Sequence, residues 1–165
     1  VKERVWSAIF VIGDRVMLGL NGKTAFVFGV ASEDSIAWAI CKMLAESGVS
    51  LYLGYQKRFR SRIFQLKDKL PQIAGFYPLD VASDETTKEF YDAFSADNPG
   101  KKADIMIHAI GFAPRSCFDR PILFVEDQDI NTAISISSNS LQRFLKFFLP
   151  YLNQNSSNIT LTYEA

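Results

Sequence analysis

Thr24-Ala-Phe-Val-Phe28-Gly29-Val-Ala-Ser-Glu-Asp-Ser35-Ile36-Ala37 is the stretch on which the fold turns. Thr24 to Phe28 reads as a continuous apolar run, which suits a strand buried on both faces. Gly29 ends the run, and Ser35 then offers a side chain able to cap a helix reaching Glu46. In that helix Ile36, Ile40, Met43 and Leu44 fall at spacings that predict the buried stripe. Gly48 stands where a helix commonly ends on a left-handed residue. Strand, sharp turn and helix in succession are the opening of a β-α-β unit.

Working outward, the same alternation continues to the end of the chain. Val49 to Tyr55 predicts a second strand, and Phe59 to Leu70 a helix stopped by Pro71. Ile73 to Leu79 predicts a third strand leading into Asp80-Val81. Ser83 or Asp84 can cap the next helix, which carries Phe90, Tyr91 and Phe94 until Asn98-Pro-Gly100 breaks it. Ala103 to Ala109 predicts a fourth strand, a helix follows near Ile130 to Leu149, and Asn158 to Tyr163 predicts the fifth strand. Strand and helix alternate about every 25 to 30 residues, the rhythm of right-handed crossovers in a parallel sheet. The expected fold is therefore α/β, a Rossmann-like doubly wound sheet of order 3-2-1-4-5. In such sheets ligands bind beyond the carboxyl ends, where the order reverses between strands 1 and 4. Gly29 and the Ala109-Ile110-Gly111 corner occupy those ends.

Composition narrows the function. Eighteen basic residues balance 18 acidic ones for a net charge of +0, so nothing favours nucleic acid, whose binding rests on neutralised phosphates. Cys41 and Cys117 form no Cys-x-x-Cys pair, and no metal is expected. A reducing cytoplasm fits this cysteine usage. Asn155-Ser-Ser and Asn158-Ile-Thr resemble glycosylation triplets but read as chance without a secretory signal. The longest apolar runs are far shorter than the roughly 20 residues of a spanning helix. Residues 1–16, with the run Ser7-Ala-Ile-Phe-Val-Ile-Gly13, lack a clear signal-peptide pattern and read as an upstream extension before a start at Met17. Residues 17–165 form one expected domain, a dinucleotide-binding unit.

Gly29 lets the chain turn sharply, and a helix beginning near Ser35 presents unpaired N–H groups and a positive dipole end. Those features can hold a pyrophosphate. The usual G-x-G-x-x-G fingerprint is missing, so on these residues alone a plain tight turn explains Gly29 equally well. Resemblance adds weight. Gly29-Val-Ala-Ser-x-x-Ser35-Ile36-Ala37 is similar to the variant cofactor loop of the bacterial enoyl-acyl-carrier-protein reductases, a divergent branch of the short-chain dehydrogenases. His108-Ala-Ile-Gly-Phe-Ala-Pro114 resembles the family's motif after strand 4, Tyr55-Gln56 its motif after strand 2, and Asp80-Val81 its motif after strand 3. Met17-Leu-Gly-Leu-Asn-Gly-Lys23 resembles its amino terminus, so the likeness runs from about residue 17 to residue 165.

The resemblance implies roles one position at a time. Gly29, Ser35 and Ile36 would line the pyrophosphate and adjoining ribose, and Gln56 would lie near the adenosine ribose. Asp80 and Val81 would contact the adenine, Ile110 and Gly111 would pass beneath the nicotinamide ribose, and Ala113 would border the acyl substrate. Tyr163 matches the first of two active-site tyrosines, beside the thioester carbonyl. The implied reaction is hydride transfer from NADH to the β-carbon of a trans-2-enoyl thioester carried on acyl carrier protein, by a homotetramer.

Plainer readings stand beside these. Asp80 can cap a turn, Gln56 can be a solvated loop residue, and Tyr163 can be an end-of-strand aromatic. His108, the one histidine, has no acid or nucleophile partner visible in sequence and reads as structural. Phe144, Phe147, Phe148 and Tyr151 read as core or subunit contact. The run Lys57-Arg58-Phe59-Arg60-Ser61-Arg62 is a solvated helix start or a grip for an adenosine 2′-phosphate, so NADPH stays open, with NADH preferred because of Gln56. The sequence ends at Ala165, before the family's second tyrosine and its lysine. A carboxy-terminally truncated domain is therefore expected, with an apolar face exposed on the helix near 130–149. The alternatives are a non-catalytic or vestigial NAD(P)-binding module and a flavodoxin-like flavin binder. The flavin reading is weakened by the loop after strand 1, which lacks the Ser/Thr-rich make-up suited to a single phosphate.

Overall fold

The structure, a computed structural model, describes residues 19–162. The expectations for residues 1–16, the start at Met17 and the placement of Tyr163 lie outside the described residues. Five strands, β1 (Thr24–Phe28), β2 (Ser50–Tyr55), β3 (Ile73–Pro78), β4 (Ala103–His108) and β5 (Leu152–Thr160), form one sheet in the order β3-β2-β1-β4-β5. Every pairing is parallel. Helix α1 spans Ile36–Glu46, α2 Arg60–Gln65, α3 Asp84–Asp97, and the four-residue α4 Ser116–Asp119. Helices α5 (Asp127–Ile134) and α6 (Ser140–Phe148) are joined end to end through a π-helical segment, Ser135–Asn139. No helix among the described residues is long and apolar enough to cross a membrane.

Side chains alternate across a strand, so the unbroken apolar runs divide into two faces. Ala25, Val27, Leu51, Leu53, Ile105 and Ile107 face one way and make a mainly aliphatic layer with α1, which adds Trp38, and with Ile63 of α2. Phe26, Phe28, Tyr52 and Met106 face the other way, against Phe90, Tyr91 and Phe94 of α3 and Phe144 and Phe148 of α6. This second layer is aromatic and edge-packed. Phe26 and Phe94 meet at 4.8 Å and 86°, and Phe28 and Phe144 at 4.7 Å and 64°. Such tilted contacts set the positive ring edge against the negative face.

Helix α1 buries a different stripe from the expected one. Ala37, Trp38, Cys41 and Ala45 are buried, whereas Ile36 and Met43 are 67% and 57% exposed, with Ile40 and Leu44 only partly buried. The small residues at i, i+4 and i+8 let the helix backbone lie close on the sheet, and hydrophobicity alone selected the bulkier neighbours. Cys41 is buried deeply enough to push its thiol up to about 12. The helix stops as expected, with Gly48 at φ +78°.

The predicted helix over 59–70 is broken in three, with 3-10 turns at Lys57–Phe59 and Lys67–Lys69 around α2. The rod predicted near 130–149 begins earlier, at Asp127, and carries the π-helical segment. Strand β5 begins at Leu152 rather than near residue 158. Its register jumps, because Ala103 pairs with Leu152 while Ile105 already pairs with Ser157. The intervening stretch, Asn153-Gln-Asn-Ser156, bulges outward and is polar, so no apolar pattern marked it.

At the amino ends of β1, β4 and β5, Asp104 accepts from Thr24 N–H at 2.9 Å, Asn153 Nδ2 at 2.9 Å and Lys23 Nζ at 3.1 Å. Desolvation pushes this carboxyl up, but the three donors outweigh it and hold it below the usual carboxylate range. The clamp fixes the end of the sheet remote from the cleft described next.

Candidate functional site

Where β1 and β4 end, the chains diverge to opposite faces and open a cleft of about 230 Å³. Gly29 is its hinge. Its φ is +102°, and a Cβ there would lie 1.9 Å from the carbonyl oxygen of Ala109. Ala109 N–H in turn donates to Phe28 C=O at 3.0 Å, continuing the strand pairing past the last residue of β4. Glycine is therefore required here twice over, by conformation and by the carbonyl pressed against it. Across the cleft Gly111 is the opposite case: a Cβ there would meet nothing within 4 Å. It leaves an open wall rather than a packed one.

Gln56, Val81 and Ile110 join Gly29 and Gly111 around this cleft. A second cleft, of about 420 Å³, continues it and contains Gln56, Lys57, Arg58, Asp80 and Thr86. The two share Gln56, Arg58, Leu79, Phe112 and Ile136. Arg58 Nε donates to Gln56 Oε1 at 2.9 Å, and the guanidinium lies 4.8 Å from the Phe59 ring centroid. Asp80 Oδ1 accepts from Ala82 N–H at 3.0 Å, while Asp80 N–H donates to Thr86 Oγ1 at 3.0 Å. The turn-capping alternative for Asp80 is thus what its side chain does.

Ser35 and Ile36 line neither cleft. Ser35 Oγ accepts from Trp38 N–H at 3.3 Å and donates to Ser32 C=O at 2.7 Å, so the side chain is used as an N-cap. Trp38 N–H, in the first turn of α1, also donates to Ser35 C=O at 3.0 Å. Ala113 is half-buried beyond the cleft margin.

The far wall comes from the π-helical segment. Ser137 Oγ accepts from Phe112 N–H at 3.0 Å and donates to Phe112 C=O at 2.9 Å, pinning the loop after β4. Arg143 donates to Val81 C=O at 2.9 Å and to Ser135 C=O at 3.1 Å, tying the loop after β3 to the same segment. Ile136 between them enters both clefts. Sequence reasoning named Arg58 within the basic run 57–62 but missed Phe112, Ile136 and Arg143. Phe112 lay inside a quoted motif, but Ile136 and Arg143 gave no local signal, because a π turn rotates their faces out of helical register.

His108 is buried at the end of β4, with Nε2 2.7 Å from Ser140 Oγ and Nδ1 3.2 Å from Thr160 Oγ1. Ser140 donates its single hydroxyl proton to Ile136 C=O at 2.6 Å. With that proton committed, Ser140 Oγ accepts from Nε2–H, while the one hydroxyl proton of Thr160 has two acceptors within reach, His108 Nδ1 at 3.2 Å and His108 C=O at 3.3 Å. Burial holds the ring's pKa below the usual 6.5. The residue joins β4, α6 and β5 and touches no acid, which is the structural role expected of it.

This sheet order, with a glycine-hinged cleft at the crossover point, defines a Rossmann-type domain. The chain belongs to the enoyl-(acyl carrier protein) reductase family, whose family model matches residues 29–165. An enoyl-[acyl-carrier-protein] reductase [NADH] FabI of Synechocystis is 32% identical over 89% of this chain and 57% of its own length. The enoyl-[acyl-carrier-protein] reductase [NADH] of Mycolicibacterium smegmatis is 30% identical over 88% of this chain and 54% of its own length. The crystal structure of the Aquifex aeolicus enoyl-[acyl-carrier-protein] reductase (NADH) superposes with a TM-score of 0.81 at 27% identity, over 87% of this chain and 56% of the other. The chain spans about half the length of the curated relatives it matches.

Proposed function

We propose that this chain supplies the dinucleotide-binding domain, residues 17–165, of an NADH-dependent enoyl-acyl-carrier-protein reductase. One observation carries the reading. The crossover cleft has one wall closed by the Gly29–Ala109 contact and the other left open at Gly111, in a chain of the reductase family. A dinucleotide fits that shape, since its ribose and pyrophosphate need close approach to backbone on one side and empty space on the other.

In this reading Gly29 and the start of α1 at Ser35 and Ile36 hold the pyrophosphate. Gln56 meets the adenosine ribose, and Asp80 and Val81 border the adenine. Ile110 and Gly111 run beneath the nicotinamide ribose, Ala113 flanks the acyl chain, and Tyr163 stands at the thioester carbonyl. The bound reduced nicotinamide supplies the hydride that reduces the β-carbon of a trans-2-enoyl thioester, and the α-carbon takes a proton. The apolar walls at Val30, Ile110 and Ile136 limit water around the reacting atoms. We place the enzyme in the cytoplasm, a reading supported by Cys41 and Cys117 both being free. A homotetramer is supported by the exposed Phe118, Leu123 and Leu149; sedimentation as a monomer at micromolar concentration removes that part.

The test is a fluorescence titration with NADH. Gly111→Leu places a side chain in open space, so it is expected to unfold like the parent chain yet bind NADH at least about tenfold more weakly. Gly29→Ala is expected to lose roughly 1–3 kcal/mol or more in urea denaturation, because its backbone conformation and the Ala109 carbonyl both oppose a side chain. Unchanged NADH affinity in Gly111→Leu would place the cofactor elsewhere. Binding without turnover on an enoyl thioester would mark the non-catalytic module instead.

A further inference from the structure

The loop after β4 hangs between two anchors, and a serine of the rod formed by α5, the π-helical segment and α6 stands at each. At its near end His108 Nε2 lies 2.7 Å from Ser140 Oγ, and Ala109 N–H still donates to Phe28 C=O at 3.0 Å. At its far end Ser137 Oγ accepts from Phe112 N–H at 3.0 Å and donates to Phe112 C=O at 2.9 Å. One hydroxyl thus satisfies both polar groups of a single backbone residue, a task usually left to a neighbouring strand. Ile110 and Gly111 span the interval between the anchors. Ile110 is half-buried and Gly111 exposed, and a Cβ at Gly111 would meet nothing within 4 Å. With no packing against it, Gly111 takes its position from the tethers on either side. Ser137 reaches the loop from within the π-helical segment Ser135–Asn139, whose wider turn offsets its side chains from those of α6.

We propose that Ser137 is a positioning residue for the nicotinamide half of the dinucleotide: by fixing Phe112 it holds Ile110 and Gly111 where the nicotinamide ribose lies on them. The inference rests on the proposed dinucleotide cleft and adds to it a residue that acts on one half of the ligand. The hydroxyl of Ser137 bonds Phe112, whereas the loop after β3, at the adenine end, is held by Arg143. Without that hydroxyl, Phe112 N–H and C=O turn to water and the stretch from Ala109 to Phe112 gains freedom. Binding must then order the stretch again, and the loss falls on the part of the ligand that rests there.

The experiment titrates the parent chain, Ser137→Ala, Ser137→Thr and Ser138→Ala by calorimetry with NADH and, separately, with ADP. ADP carries the adenosine and the pyrophosphate but neither the second ribose nor the nicotinamide. In Ser137→Ala, NADH is expected to bind about fivefold or more weakly, while ADP stays within about twofold of the parent. Ser137→Thr keeps a hydroxyl and is expected to recover most of the NADH affinity. Ser138→Ala alters an exposed neighbour in the same segment and is expected to leave both ligands as they were. Amide exchange at Phe112 is expected to quicken in Ser137→Ala while β1 stays as protected as in the parent. Equal weakening of NADH and ADP overturns the proposal, because the serine then supports the fold as a whole. Unchanged NADH affinity in Ser137→Ala overturns it too, as does a loss that Ser137→Thr does not recover. If neither ligand binds the parent chain, the cleft assignment falls and this inference falls with it.

Discussion

His108 spends both ring nitrogens on neighbours from two other elements, and this makes it an acid-sensitive joint. Its pKa in the fold lies below 6.5, while the unfolded chain titrates near that ordinary value. Between the two the unfolded state binds more protons, so stability rises with pH there and is lost on acidification below about 6.5. The urea midpoint is therefore expected to fall between about pH 7.5 and pH 5.5, and to fall less in His108→Leu. Equal slopes would assign the acid sensitivity to other groups. Asp104 acts in the same direction further down the scale: its depressed carboxyl contributes stability that is lost as pH falls through the carboxylate range. The structural reading of His108 was available from the sequence, since no partner acid lay near it. Its two actual partners, Ser140 and Thr160, lie 32 and 52 residues away and were not.

Elements fix the cleft through their ends. The π-helical segment between α5 and α6 turns Ser137 to Phe112 and Ile136 to both clefts, while Arg143, just beyond it, reaches Val81. Arg143→Met removes charge-assisted bonds to two carbonyls and is expected to cost about 1.5–3 kcal/mol, read by urea denaturation. Faster amide exchange in the turn after β3 is expected in the same variant, because Val81 loses its tie to the rod. An unchanged midpoint with unchanged exchange would mean the bonds are replaced by water. The strands and turns that make up this frame were legible because burial on both faces writes itself as uninterrupted apolar runs, as in β1, β2 and β4. The α1 stripe was misread because close packing selected alanine and cysteine over isoleucine and methionine. The early part of β5 was missed because an exposed, bulged edge needs no apolar pattern.

At the scale of the whole molecule the sheet separates two chemically different layers, mainly aliphatic under α1 and aromatic under α3 and α6. Phe26 lies at the centre of the aromatic layer, touching the rings of Phe28, Tyr52, Phe90, Phe94 and Phe148. Phe26→Ala is expected to cost about 3–5 kcal/mol in chemical denaturation, with loss of near-ultraviolet circular dichroism from the clustered rings. A cost under about 1 kcal/mol would mean the layer refills the cavity by repacking.

The strand order also governs the chain while it is being made. β1 lies between β2 and β4, and Thr24 is separated by 80 residues from Asp104, the partner that clamps its amino end. At the ordinary pace of translation that interval takes roughly 4–16 s. For that time β1 has one open edge of unpaired backbone N–H and C=O groups, and Phe26 and Phe28 lack the cover of α6. The nascent chain is then a sticky half-sheet, and the cleft exists only once β4 has arrived to press Ala109 against Gly29.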